Sequence, residues 1–297
     1  MPQKFGGIWT PEKLGVLERY LKFYKTALKN AAVQFGWQLI YIDAFAGSGE
    51  CFIGQEQPDD IDSIIPLTEA VIDGSARIAL NLDNPFDHYF FVEHKKKYFS
   101  KLNDYCREHH LSNRIHIKQA DANDAIGPLL RSIDWKKSRG VMFLDPYGMQ
   151  VGCDLLHEIA ATEALDVWYL FPLHAIARQA AKNYKAVDSD KEASLNFCLG
   201  TDAWKTAFYD DVKTEQLSMF DEEDNLIGRY RSADKDDIIR FVKEEVLERA
   251  FPAVSDPRIL YGHNNVPQFA LFFAVSNPDK TAINRAMEVA DYILKMA

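Results

Sequence analysis

The sequence predicts an α/β fold: a mainly parallel sheet, an antiparallel strand pair near the C-terminus, and a helical insertion between the two. Three observations predict it. Short apolar runs recur between helical stretches from residue 37 to residue 172, and strands alternating with helices build a parallel sheet. The runs are apolar at consecutive positions, which fits strands buried on both faces. Several of them end in an acid or in glycines, and in open α/β sheets ligands bind just outside such strand ends.

Residues 11–34 read as an amphipathic helix, with Thr10 placed to cap it, Pro11 in its first turn, and Leu14, Leu17, Tyr20, Leu21 and Tyr24 as its apolar stripe. WQLIYIDAFAG (37–47) is a strand ended by glycines. Residues 50–74 are polar and rich in Pro and Asp, which suggests a long loop or a partly helical excursion. Gly74-Ser75 opens a short helix to Leu82. HYFFVE (88–93), RIHIKQAD (114–121), RGVMFLDPYG (139–148) and ALDVWYLFP (164–172) are the next strands, separated by helices over 95–108, 123–133 and 155–164. Residues 176–250 are charged and helical in tendency, broken by Gly200 and the acidic run DEEDN (221–225). RILYG (258–262) and QFALFFAVS (268–276) then form an antiparallel pair around an Asn264-Asn265 turn, and a helix over 281–296 closes the chain.

Composition limits the function classes. The 297 residues are 47% hydrophobic and 26% charged, as in a globular protein, which excludes a disordered or fibrous chain. No apolar run reaches the 18 residues of a membrane span, and the first ten residues lack the apolar core of a secretory signal, so a cytoplasmic location and no membrane partner are expected. The formal net charge of −10 is the wrong sign for non-specific nucleic-acid binding. A nucleic-acid substrate then needs a local basic patch, for which Lys95-Lys96-Lys97, residues 136–139, and Arg229 with Arg231 are candidates, each with a solvated helix face or loop as its plainer reading. Cys51, Cys106, Cys153 and Cys198 form no C-x-x-C pair, and the eight histidines show no metal-ligand spacing. No metal is expected.

Chemistry is concentrated at the strand ends. YIDAFAGSGE (41–50) places an acid and a Gly-x-Gly after the first strand, where glycines let backbone approach a ligand closely. A phosphate-binding loop would need G-x-x-x-x-G-K-[ST], which does not occur, and a dinucleotide fingerprint would need a third glycine where Phe52 stands. S-adenosylmethionine (SAM), which has no pyrophosphate, needs only the turn and polar partners. Glu93, ending the second strand, can accept from both hydroxyls of a ribose, and Asp121, ending the third, from an adenine amino group. The plainer alternatives are a solvated start of the next helix for Glu93 and a helix N-cap for Asp121.

FLDPYG (143–148) is the most informative hexamer. An amine conjugated to a ring is a poor nucleophile, and acceptors on its hydrogens help it rehybridise. Asp145 offers a carboxylate, Pro146 a backbone carbonyl, Tyr147 a ring to stack on a base taken out of its stack, and Gly148 room. The alternative is an ordinary turn, since Asp-Pro-x-Gly is turn chemistry.

Asp-x-Phe-x-Gly-x-Gly followed by Asp-Pro-Tyr resembles class I SAM-dependent methyltransferases, and Asp-Pro-Tyr-Gly is similar to the [D/N/S]-P-P-[Y/F/W] motif of amino-methyltransferases acting on adenine or cytosine. It lacks their second proline and looks closer to the Asp-Pro-Phe-Gly of tRNA guanine-N2 methyltransferases. Nearly the whole chain, through WTPEKLGVLERYLKFY (9–24), YIDAFAGSGE, GSARIAL (74–80), FFVEHKK (90–96), FLDPYG and FPLHAIAR (171–178), resembles the three-Cys-motif partner family. The resemblance implies a Rossmann-like methyltransferase fold, SAM as cofactor, and a radical-SAM-like partner that carries the three cysteines. It implies that Asp43, Phe45, Ala46, Gly47 and Gly49 line the methionine end of SAM, that Glu93 holds the ribose, and that Asp121 and Ala122 hold the adenine. Asp145, Pro146 and Tyr147 would hold the substrate, with Gly148 and Arg178 beside it. Trp9, Thr10 and Lys13 read first as a helix cap and a core Trp, and second as a lid over the cofactor. Arg178 reads equally as a contact to a phosphate or carboxylate and as a surface or interdomain salt bridge, and His174 reads first as a core or surface residue.

The expected organisation is an N-terminal helical lid (1–36), a SAM-binding core (37–175), a helical insertion for substrate or partner recognition (176–250), and a C-terminal segment completing the core (251–297). The expected function is N-methylation of an exocyclic amine on a nucleic-acid base. The alternatives are methyl transfer to a small molecule or peptide made by the partner, and a non-catalytic partner protein.

Overall fold

The structure, a computed structural model, describes residues 7–53, 70–211 and 228–296. Its central sheet follows the chain in a simple order. The parallel strands are β1 (Gln38–Asp43), β4 (His88–Glu93), β5 (Ile115–Gln119), β6 (Ser138–Leu144) and β7 (Leu165–Phe171), and β12 (Pro267–Val275) is antiparallel to β7. The spatial order β5-β4-β1-β6-β7-β12, extended by β10 (Ala253–Val254), has its switch point between β1 and β6. β11 (Arg258–Tyr261) pairs with the other part of β12. This is a Rossmann-like, mostly parallel α/β sheet, whose ligand crevice lies where the strand order reverses.

The strand alternation divides the core into two layers. Leu39, Tyr41, Val141, Phe143, Trp168, Leu170 and Phe273 face one side, where α1 (Thr10–Phe35), α2 (Ser75–Leu80), α3 (Lys96–Glu108) and α11 (Lys280–Met296) bury their stripes. Ile40, Ile42, Met142, Leu144, Val167, Tyr169 and Phe272 face the other, covered by α4 (Ala122–Ser132) and α5 (Cys153–Ala160). Period-two alternation makes both faces apolar at once, which is why these runs are unbroken in sequence. On the first face Tyr20 of α1 packs edge-on to Trp168 at 5.3 Å and donates to Asp166 at 2.6 Å, fastening the helix across β7.

Two sequence expectations are corrected here, and one short strand is new. The stretch 50–74, read as a loop or a helical excursion, begins and ends as an antiparallel hairpin of β2 (Glu50–Ile53) and β3 (Ala70–Asp73), with Glu50 opposite Asp73. Four-residue strands carry too little periodicity to stand out among prolines and acids. Residues 54–69 of that stretch lie outside the described residues, as do DEEDN and the first six residues of the expected lid. Thr10 does not cap α1: Trp9 holds the cap position and no side chain caps the helix. Thr10 is instead buried at the first turn. The two-residue strand β10 was not anticipated.

The described part of 176–250 mixes helix and hairpin. It contains the end of α6 (Leu173–Gln179), then α7 (Ser189–Leu199), α8 (Trp204–Ala207), the pair β8 (Tyr209–Asp211) and β9 (Arg229–Arg231), and α9 (Lys235–Phe241). α9 runs through a π-helical turn, Val242–Leu247, into α10 (Glu248–Ala250). Leu195, Leu199, Trp204, Phe208, Ile238, Val242 and Leu247 are buried in the same cluster as β7 and α5. Asn264 and Asn265 both take positive φ (58° and 57°), the turn chemistry their sequence suggested, and Gly262 N–H closes the turn on Val266 O at 2.8 Å.

Candidate active site

The C-terminal ends of β1 and β6 open onto a cavity of about 300 Å³. One wall is the turn after β1, from Phe45 to Gly49. A second is the start of β2, with Glu50 and Cys51. A third is α1, with Trp9, Thr10, Lys13 and Leu14, and Asp145, Pro146 and Tyr147 complete the enclosure after β6.

The turn after β1 has the shape its glycines suggested. Gly47 and Gly49 take positive φ, 59° and 78°, which side chains other than glycine adopt only with strain. A Cβ added at Gly47 would meet open space, whereas one at Gly49 would come within 3.0 Å of Leu102 Cδ1 and 3.2 Å of Arg77 Nε. Gly47 is therefore required by backbone conformation alone, and Gly49 by conformation and crowding together. The turn is pinned on two sides: Ala44 N–H donates to Phe143 O at 3.2 Å and Ala46 N–H to Val92 O at 3.0 Å.

Asp43 lies at the base of this turn with no exposed surface. Its carboxylate accepts from the Phe45 N–H at 3.2 Å. Burial pushes the carboxyl up to about 7; bonds from Ser75 and Phe45 pull it down, and the charges of Asp145 and Glu93 push it further up. The sign of the consequence is the reverse of that for a salt-bridged aspartate. Between about pH 4 and pH 7 the folded protein keeps a proton that the unfolded chain has released, so stability falls as pH rises through that window. We expect wild-type unfolding free energy to drop by about 2–4 kcal/mol between pH 5 and pH 8 relative to an Asp43→Asn variant, as measured by denaturant titration. Parallel pH profiles of the two proteins would disprove it.

Glu93 is 4% exposed and does not line the cavity. Its carboxylate accepts from Gly47 N–H at 3.0 Å and Lys95 N–H at 2.6 Å. Asp121 takes the plainer of its two sequence readings: it is the N-cap of α4, accepting from Asn123 N–H and from the Asn123 side chain, both at 2.9 Å. Neither Asp121 nor Ala122 lines the cavity, and Arg178 and Gly148 do not either. Arg178 sits exposed on α6, as does His174.

The sequence reading gave α1 too little weight. Lys13 reaches across 132 positions in the chain to Asp145, Nζ to Oδ2 2.5 Å, with side-chain exposures of 10% and 21%. Thr10 is fully buried, lines the cavity, and its hydroxyl has no hydrogen-bond partner among the described residues. Ser75, Tyr98 and Phe269 also line the cavity and were not anticipated. The available signal was Trp9-Thr10-Lys13 at a helix start, where a polar pair beside an aromatic is unusual on a buried stripe.

At the mouth, Tyr147 is 50% exposed and the Lys95 ammonium lies over its ring at 4.5 Å. Lys96 and Lys97 continue the exposed basic run into α3. A carboxylate (Asp145), a glycine turn and an exposed aromatic thus meet in one cavity, while Asp43 lies buried behind the turn and does not line it.

No protein-family model and no curated protein matches this chain. Among solved structures, a Legionella pneumophila protein is 12% identical, covering 94% of this chain and 91% of its own, with a TM-score of 0.43. A SAM-dependent methyltransferase from Clostridium acetobutylicum is 12% identical, covering 86% and 92%, with a TM-score of 0.33. The glycopeptide N-methyltransferase MtfA, in complex with S-adenosyl-L-homocysteine, is 10% identical, covering 93% and 93%, with a TM-score of 0.32. Likeness at this level carries no argument about chemistry, and the functional reading rests on the residues of the site. No described helix is long and apolar enough to cross a membrane.

Proposed function

We propose that this protein is a SAM-dependent N-methyltransferase whose acceptor is an exocyclic amine on a nucleic-acid base. The observation that carries this reading is the joining of the glycine turn after β1 and the Asp145-Pro146-Tyr147 segment after β6 in one cavity, at the switch point of the sheet. The residues present fit the cofactor. The open space beside Gly47 admits a ligand against backbone, and the buried Thr10 hydroxyl, with no partner among the described residues, offers a polar contact. SAM, when bound, supplies an electrophilic methyl group on a sulfonium.

The protein's own residues do the rest. The turn from Phe45 to Gly49 holds the methionine end, with Asp43 behind it as counter-charge. Glu93 would reach the ribose, and Asp121 with Ala122 the adenine, only from outside the described cavity. Asp145 and the Pro146 carbonyl accept from the amine and orient its nitrogen, while Tyr147 stacks on the base. Rate enhancement then comes from positioning and fixed electrostatics. The exposed run from Lys95 to Lys97 beside Tyr147 supports a phosphate-bearing substrate despite the net charge of −10. That same net charge favours a second reading, methyl transfer to a small molecule or peptide. From the sequence resemblance alone, we further propose a three-cysteine, radical-SAM-like protein as partner.

Calorimetric titration with SAM tests the reading, with Asp43→Ala as control. Saturable binding by the wild type, weakened at least tenfold in Asp43→Ala, is expected. Absence of binding at millimolar SAM would remove the stand-alone enzyme.

A further inference from the structure

The carboxylates around the cavity are already matched by cations or donors. Glu50 is paired with Arg77 at 2.8 Å and with Lys101 at 3.3 Å. Glu93 holds two backbone N–H groups. Asp43 is wholly buried behind the turn and accepts from Phe45 N–H. Asp145 is held by Lys13, and Lys13 is the one cation among the described residues lining the cavity. The pair is not a loose surface contact: Lys13 is 8% exposed, and α1 carries it under Trp9, whose ring packs on Phe269 at 5.4 Å.

What such a carboxylate binds depends on its partner. Alone and half-buried, it would capture an ammonium and keep the proton on it, leaving the nitrogen no lone pair to donate. Matched by a fixed cation, it repels a second cation, because like charges in a poorly solvated site interact strongly. It can still accept a neutral N–H, since Lys13 occupies only one side of its four lone-pair positions. Aliphatic amines are protonated near neutral pH, whereas amines conjugated to a ring are not.

We propose that Lys13 is a specificity-determining residue: its ion pair with Asp145 sets the acceptor site to take a neutral, ring-conjugated amine and to exclude an ammonium such as a lysine side chain or a polyamine. This rests on the methyltransferase reading and narrows its acceptor class. It also makes the N-terminal helix part of substrate choice as well as of the enclosure, since the selecting charge arrives on α1.

The test uses full-length wild type, Lys13→Met and Lys13→Arg, each saturated with S-adenosyl-L-homocysteine and titrated calorimetrically at pH 7.5. The probes are n-butylamine, an ammonium, and adenosine, a neutral conjugated amine. Lys13→Met should bind n-butylamine at least tenfold more tightly than wild type and Lys13→Arg, with no matching gain for adenosine. Equal n-butylamine affinities in all three proteins, including no binding by any, would overturn the proposal. So would an equal gain for both probes, which would make Lys13 a steric block rather than a charge filter. Wild type that binds S-adenosyl-L-homocysteine but shows no charge preference defeats the role of Lys13 alone. Wild type that does not bind it defeats the methyltransferase reading and this role together. If only Lys13→Met loses cofactor-product binding, Lys13→Gln, which removes the charge and keeps a polar side chain, decides the comparison.

Discussion

Replacing Asp145 by alanine should lower single-turnover methyl transfer, measured at saturating SAM, by roughly a hundred- to a thousand-fold. The carboxylate stands after β6, on the opposite side of the switch point from the glycine turn, and it is the acidic group that both lines the cavity and adjoins the Pro146 carbonyl and the exposed Tyr147 ring. Its loss removes the acceptor that draws the amine's hydrogens out of plane, an interaction that strengthens as the nitrogen rehybridises. It therefore acts on the rate constant rather than on binding. Asp145→Asn keeps a carbonyl acceptor and should fall between alanine and wild type. Radiolabelled methyl transfer to nucleic acid, under saturating SAM, makes the measurement. Activity within tenfold of wild type in Asp145→Ala would place the amine elsewhere.

The second large effect is on stability. Trp204 lies in the span read from sequence as an insertion, yet it has no exposed surface and packs near Tyr184, Phe208 and Tyr209. Its indole N–H donates to Asn196 at 2.8 Å. Trp204→Ala removes the largest side chain of that region together with its bond to Asn196, and such truncations cost about 3–5 kcal/mol. Because the cluster is continuous with β7 and α5, the loss should appear as one cooperative transition moved to lower denaturant. A separate early transition, with the sheet unfolding at its wild-type midpoint, would show that the helices of this span melt on their own.

The parallel strands were legible because burial on both faces writes itself as unbroken apolar runs, and the antiparallel finish because QFALFFAVS follows an Asn-Asn turn. The turn after β1 was legible for a local reason: Gly47 and Gly49 need positive φ, and only glycine supplies it without strain. Asp145 and Tyr147 were legible as a motif. The short strands β2 and β3 were hidden because four residues cannot establish a period. Lys13 was underrated because its partner is 132 positions away, and an ion pair across that distance leaves no spacing to read. The capping role of Asp121 was legible in Asp-Ala-Asn-Asp, because a helix N-cap is a local feature.

The bonds from Gly47 and Lys95 to Glu93 have a mechanical consequence. The loop after β1 and the loop after β4 are not two adjustable walls but one part, riveted through a single carboxylate that is itself shielded from water. A change meant to reshape the glycine turn will drag the start of α3 with it, and Lys95, the cation over Tyr147, moves with that start. The glycine turn and the Tyr147 mouth of the cavity are therefore geared together, and anyone re-engineering one for a bulkier ligand should expect to retune the other.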